Sequence, residues 1–146
     1  MRILVAVHDA PDSLAAARLA VTLAAGLGAR LRVVHVVADA ELGSRVEAAS
    51  GRAGADARAG RARASLLSRV SAIAQAAGVA AETDLLEGDV APTFLHEAHA
   101  WRADLLVVGK SASSATGDPY VGTQTRHVLE FADQPVLVVP APPPRR

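Results

Sequence analysis

A parallel α/β sheet covered by helices on both faces is the fold this sequence predicts, and two observations predict it. Short runs of Val, Leu and Ile alternate with longer Ala-rich stretches along the chain, the rhythm of successive βαβ units. Four of those runs, residues 3–7, 31–37, 105–108 and 136–139, are nearly continuous in apolar side chains, as strands buried on both faces must be. The length of 146 residues suits one domain, expected over residues 1–140 with a disordered Pro/Arg tail at 141–146.

The elements follow in order. After the first strand, Asp12 or Ser13 can cap a helix whose Leu14, Ala17, Val21, Ala24 and Ala25 share one face, with Gly26 and Gly28 as its stop. The strand at 31–37 leads into residues 39–55, which carry Gly43, Gly51 and Gly54 and few large apolar groups, and so are expected to form a mobile loop. A second helix is expected over about 56–77, where Leu66, Leu67, Val70, Ile73 and Ala77 recur at helical spacing before Gly78. Residues 80–86 are more polar and read as an edge strand. Asp89 with Pro92 in the first turn opens a third helix through Trp101, and a fourth runs from about Thr123 to Ala132. Four prolines from Pro140 onward cannot continue a strand.

Composition excludes several functions. Fifteen Lys plus Arg balance fifteen Asp plus Glu, so no net positive field attracts nucleic acid or an anionic membrane surface. Phe94, Trp101, Tyr120 and Phe131 are too few aromatics for a base-stacking platform. Cysteine is absent, which removes disulfides, thiolate chemistry and Cys-ligated metals. The five apolar residues before His8 are too short for the core of a secretory signal, and no apolar run approaches the roughly 18 residues of a membrane span. A cytoplasmic location is the expectation.

Three motifs imitate known sites and fall short. Gly109-Lys110-Ser111 follows a strand as the end of a P-loop does, but the glycine a P-loop needs five positions earlier is Asp104. His96-Glu97-Ala98-His99 lacks the spacing of a zinc-protease helix and has no evident third ligand. The elbow pattern GxSxG ends on Ser113 in place of glycine. What remains is the segment 109–122, long for a strand-to-helix connection and rich in Gly, Ser and Thr. Its small residues allow backbone amides to approach an anion, and the helix that follows adds partial positive charge.

Five pieces in order and spacing then carry a resemblance: Ile3-Leu4-Val5-Ala6-Val7, Val33-Val34-His35-Val36-Val37, Glu87-Gly88-Asp89, Ala103 to Gly109, and Gln134 to Val139. Together they resemble the universal stress protein family. The resemblance implies an open, Rossmann-like five-stranded sheet in order 3-2-1-4-5 and a homodimer joined through the last strand (Val136, Val138). It implies a stress-response protein that binds an adenine nucleotide, ATP, with or without Mg2+, between strands 1 and 4, and signals through its bound state or its dimer. At most slow hydrolysis is expected, since no carboxylate cluster suggests a dedicated magnesium cage and no general base stands out beyond His8 or Asp9.

Nucleotide-binding members carry Gly-x-x-Gly, nine residues, then Gly-Ser or Gly-Thr. Gly109, Gly122 and Thr123 match this pattern, with Ala112 in place of the second glycine. The acid that such members place after the first strand is here His8, followed by Asp9, and Val36 matches the residue that packs against adenine. The implied site is therefore Ala6, Val7, His8, Asp9, Val36, Gly109, Lys110, Ala112, Gly122, Thr123 and Gln124. An alternative is a member that has lost ATP binding and acts as a dimeric interaction protein, for which Ala112 and His8 would be the signature. His8 can also be read as a cap on the strand end, and His35 as a half-buried hydrogen bonder and not a catalytic base.

Overall fold

The computed structural model describes residues 1–8, 10–37, 53–110 and 121–143. Five strands, β1 (Arg2–Ala6), β2 (Arg30–Val37), β3 (Ala81–Glu87), β4 (Leu105–Gly109) and β5 (Val136–Val139), form one parallel sheet in the order β3-β2-β1-β4-β5. Among the described residues, four helices connect or flank them: α1 (Pro11–Leu27), α2 (Ala53–Ala76), α3 (Val90–Ala100) and α4 (Thr123–Phe131). β1 lies at the centre, with Ile3 opposite Leu31 on one side and Leu105 on the other.

Alternation along β1 divides the interior in two. Ile3, Val5 and Val7 join Leu31 and Val33 beneath Ala16, Ala20 and Ala24 of α1 and Leu66 and Val70 of α2. Leu4 and Val34 face the other way, onto Ala91, Phe94 and Ala98 of α3 and Val128 of α4. The alanines of α1 let that helix sit close to the sheet, and fully burying each large side chain contributes about 1.5–3 kcal/mol.

Helix boundaries correct the expectation in three places. α1 starts at Pro11 with Ala10 as its extended N-cap, and no side chain among the described residues caps it. Asp12 and Ser13 instead lie buried inside the first turn, because proline's fixed φ suits the first helical position. Gly26 is helical, and only Gly28, at φ 63°, ends the helix in the left-handed conformation. Ala53, Gly54 and Ala55 already belong to α2; the rest of the expected mobile loop, 39–52, lies outside the described residues. So do residues 144–146 of the tail.

β3 is an edge strand and wears the charge an edge needs. Its Glu82 and Asp84 receive Arg32 at 3.3 and 3.2 Å, and Glu82 receives Arg30 at 2.8 Å. Arg32 also reaches Glu97 of α3 at 2.9 Å and lies over the Trp101 ring, as does Arg2. Among the described residues, no helix is long and apolar enough to cross a membrane.

Candidate functional site

The strand order reverses at β1, whose neighbours β2 and β4 lead to helices on opposite faces, and a crevice opens there beyond the C-terminal strand ends. Val7 extends β1 by donating its amide to Val34 O at 2.9 Å. The chain then turns at His8, whose amide donates to Ser13 Oγ at 2.7 Å. His35 of β2 bonds through Nδ1 to Val7 O at 2.7 Å. A carbonyl can only accept, so Nδ1 carries the hydrogen and Nε2 is the remaining ring nitrogen, an acceptor when the ring is neutral.

On the other side, the two ends of the segment 109–122 meet. Lys110 donates its amide to Val139 O at 2.8 Å, and Gly122 donates its own to Lys110 O at 3.1 Å. Thr125 Oγ1, buried, donates to Gly109 O at 2.8 Å. These bonds fix the start of α4 against the end of β4. Gln124 reaches across to α3, where its Oε1 accepts from the Ala91 amide at 3.0 Å. Gly122, at the N-cap of α4, has no side chain to cap it, so the first-turn amides have no acceptor within the helix and favour an anion.

Between these walls lies a cavity of about 550 Å³, within the range of small-molecule sites. Val36, Leu66, Val90, Phe94 and Val128 supply apolar surface. His8, His35, Arg63, Gln124 and Thr125 supply the polar groups, and no carboxylate is among the described residues that line it. Nor do the described residues hold any group of three or more His, Asp or Glu placed to bind a metal ion.

Of the residues singled out from the sequence, Ala6, Val7, His8, Val36, Gly109 and Gln124 line this cavity. Lys110, Gly122 and Thr123 stand beside it at the β4–α4 junction, where the Lys110 and Gly122 amides are spent on the protein's own carbonyls. Asp9 and Ala112 lie outside the described residues. The sequence reading missed Arg63 and Leu66 of α2 and Phe94, Thr125 and Val128. Arg63 precedes Leu66 by three positions and so shares its helix face, a signal present in the sequence but silent about what that face covers.

The comparisons with known proteins agree with this geometry. No curated protein matches the chain. Among solved structures, the hypothetical protein MJ0577 superposes with a TM-score of 0.81 at 15% identity, covering 98% of this chain and 97% of that one. A universal stress protein in complex with cAMP gives 0.69 at 23% identity over 97% and 98%. The universal stress protein of Archaeoglobus fulgidus in complex with dAMP gives 0.66 at 22% over 95% and 97%. These likenesses establish the fold. The sequence model of the universal stress protein family matches residues 1–140, and with nearly the whole chain accounted for in this way, the chain belongs to the universal stress protein family.

Proposed function

We propose that the protein is a stress-response, cytoplasmic homodimer that binds an adenine nucleotide, ATP in the first instance, in the strand-end crevice. The observation that carries this reading is the cavity of about 550 Å³, with an apolar floor and an uncapped helix start at one wall. Relatives of the same fold solved with cAMP and with dAMP support it. The base fits against Val36 and its apolar neighbours, and phosphate oxygens fit the first-turn amides of α4 at Thr123 and Gln124. A magnesium ion accompanying ATP would depend on the phosphates for most of its ligands, since the described residues assemble no metal-binding group of three. The protein's own residues bind and orient; the reading assigns them no fast hydrolysis.

Calorimetric titration of ATP into the wild type and Gly122→Val tests this. Gly122 has φ −60° and ψ 155°, a conformation open to any residue, but it is buried, so a thermal unfolding curve is run beside the titration and affinities are compared only for a variant that folds as the wild type does. The expected result is micromolar binding by the wild type, weakened about tenfold or more in the variant, which corresponds to about 1.4 kcal/mol. Equal affinities would remove the α4 N-terminus as the phosphate site. A folded wild type that ignores ATP would favour the dimeric interaction protein without a nucleotide.

A further inference from the structure

Two helices begin at the cavity wall, with Val90 and Ala91 of α3 and Gln124 and Thr125 of α4 among its lining residues. One side chain joins them. Asp89, at the N-cap of α3, makes no side-chain capping bond. In the first turn that follows, Pro92 has no amide hydrogen, so Val90 and Ala91 carry the amides to be satisfied. Gln124 Oε1 takes the second of these at 3.0 Å. That bond also fixes which way round the carboxamide lies. A backbone N–H can only donate, so the atom facing Ala91 is the oxygen, and Nε2 with its two hydrogens is turned elsewhere. No acceptor among the described residues takes those hydrogens. Gln124 is exposed as well as cavity-lining, so a ligand in the crevice can reach it. The neighbouring Lys110 and Gly122 amides are, by contrast, already committed to carbonyls.

We infer that the Gln124 side chain is a phosphate-binding group: held by the Ala91 amide through Oε1, it donates through Nε2 to a phosphate oxygen of a nucleotide seated at the start of α4. This rests on the nucleotide reading above, and adds to the backbone amides a side-chain donor whose orientation is set by a different helix. A donor hydrogen bond to an ionised phosphate is charge-assisted and stronger than one between neutral groups. The opposite orientation of the carboxamide would turn its oxygen toward the phosphate and its hydrogens toward the Ala91 amide, losing both contacts. The bound phosphate and α3 therefore favour the same orientation of one side chain.

ATP and adenosine, which differ only in the phosphates, are titrated into the wild type, Gln124→Met and Gln124→Glu, with a thermal unfolding curve for each protein. Gln124→Met removes the donor without adding charge. Gln124→Glu keeps an acceptor for the Ala91 amide and puts a negative charge where the donor was. The ratio of ATP to adenosine affinity should fall about fivefold or more in Gln124→Met and further in Gln124→Glu, even though the latter melts no lower than the wild type. A side chain that only caps α3 would lower the melting temperature in Gln124→Met and move both ligands together. A ratio within about twofold of the wild type in Gln124→Met, or unchanged in Gln124→Glu, overturns the inference and leaves the nucleotide reading standing. Where Gln124→Met does not fold, or adenosine binds too weakly for a ratio, the Gln124 side-chain NH2 resonances of the wild type decide, identified by their loss in Gln124→Glu. Saturating ATP should shift them, and resonances that stay in place overturn the inference. A wild type that binds no ATP removes both readings.

Discussion

At Gly109, a Cβ would run into the Asp12 side chain and come within 3.0 Å of the Asp12 backbone carbon. The first turn of α1 therefore packs directly on the end of β4, and this contact alone demands glycine there. Read along the sequence, the same glycine looked like a phosphate-loop position, because spacing to Gly122 is visible in one dimension and the approach of α1 is not. Gly109→Ala should destabilise the fold by about 1–3 kcal/mol, since Asp12 is buried and has little freedom to withdraw. Urea unfolding measures it, and an unchanged midpoint would mean that α1 shifts at no cost. His8, Val36 and Gln124, named from family spacing, line the cavity. Arg63 was not foreseen there, because its place in the lining depends on which helix roofs the cavity.

Elements were legible where burial on both faces left a continuous apolar signature, as in β1, β4 and β5. Their boundaries were less so, since Pro11 rather than a capping side chain opens α1, and one glycine, Gly26, is tolerated inside it. The least legible element-level feature is the bridge made by Arg32, which interrupts an apolar run and has no local partner in sequence. It is explained by three carboxylates from two other elements, Glu82 and Asp84 of β3 and Glu97 of α3, which converge on one guanidinium. Arg32 is 21% and Glu97 17% exposed, so that pair is largely shielded, whereas Glu82 and Asp84, each 46% exposed, are half in solvent and contribute less. Arg32→Met keeps much of the packing over Trp101 but leaves the carboxylates facing one another. A loss of about 1–3 kcal/mol is expected from the hydrogen bonds to charged groups, and thermal unfolding at low and high salt would check it. The gap between the two proteins should narrow at high salt, where carboxylate repulsion is screened; a variant as stable as the wild type at low salt would show that the bridge contributes nothing net.

Seen as a whole, the described residues place charge on one sheet edge and none on the strand at the other. β3 carries its carboxylates and arginine partners, whereas β5 is Val136-Leu137-Val138-Val139 with no charge of its own. Beside it on α4, Leu129 is 46% and Phe131 69% exposed. An apolar edge strand next to an exposed aromatic invites pairing with another chain, and a twofold axis satisfies it with a second copy of the same surface. The homodimer in our proposal uses this edge. Val138 is a poor place to test it, because Val136 and Val138 also pack against the α3–α4 core, so a charge there would unfold and dissociate the protein together. Phe131 touches His127 edge-on and is otherwise open, so Phe131→Glu changes the surface while sparing the interior. Light scattering at micromolar concentration should give a mass near twice 14.9 kDa for the wild type, falling toward the monomer in Phe131→Glu with little change in melting temperature at low concentration. A wild-type mass of 14.9 kDa would rule the edge out as a dimer interface. A dimer unaffected by the substitution would move the interface away from the α4 side of β5.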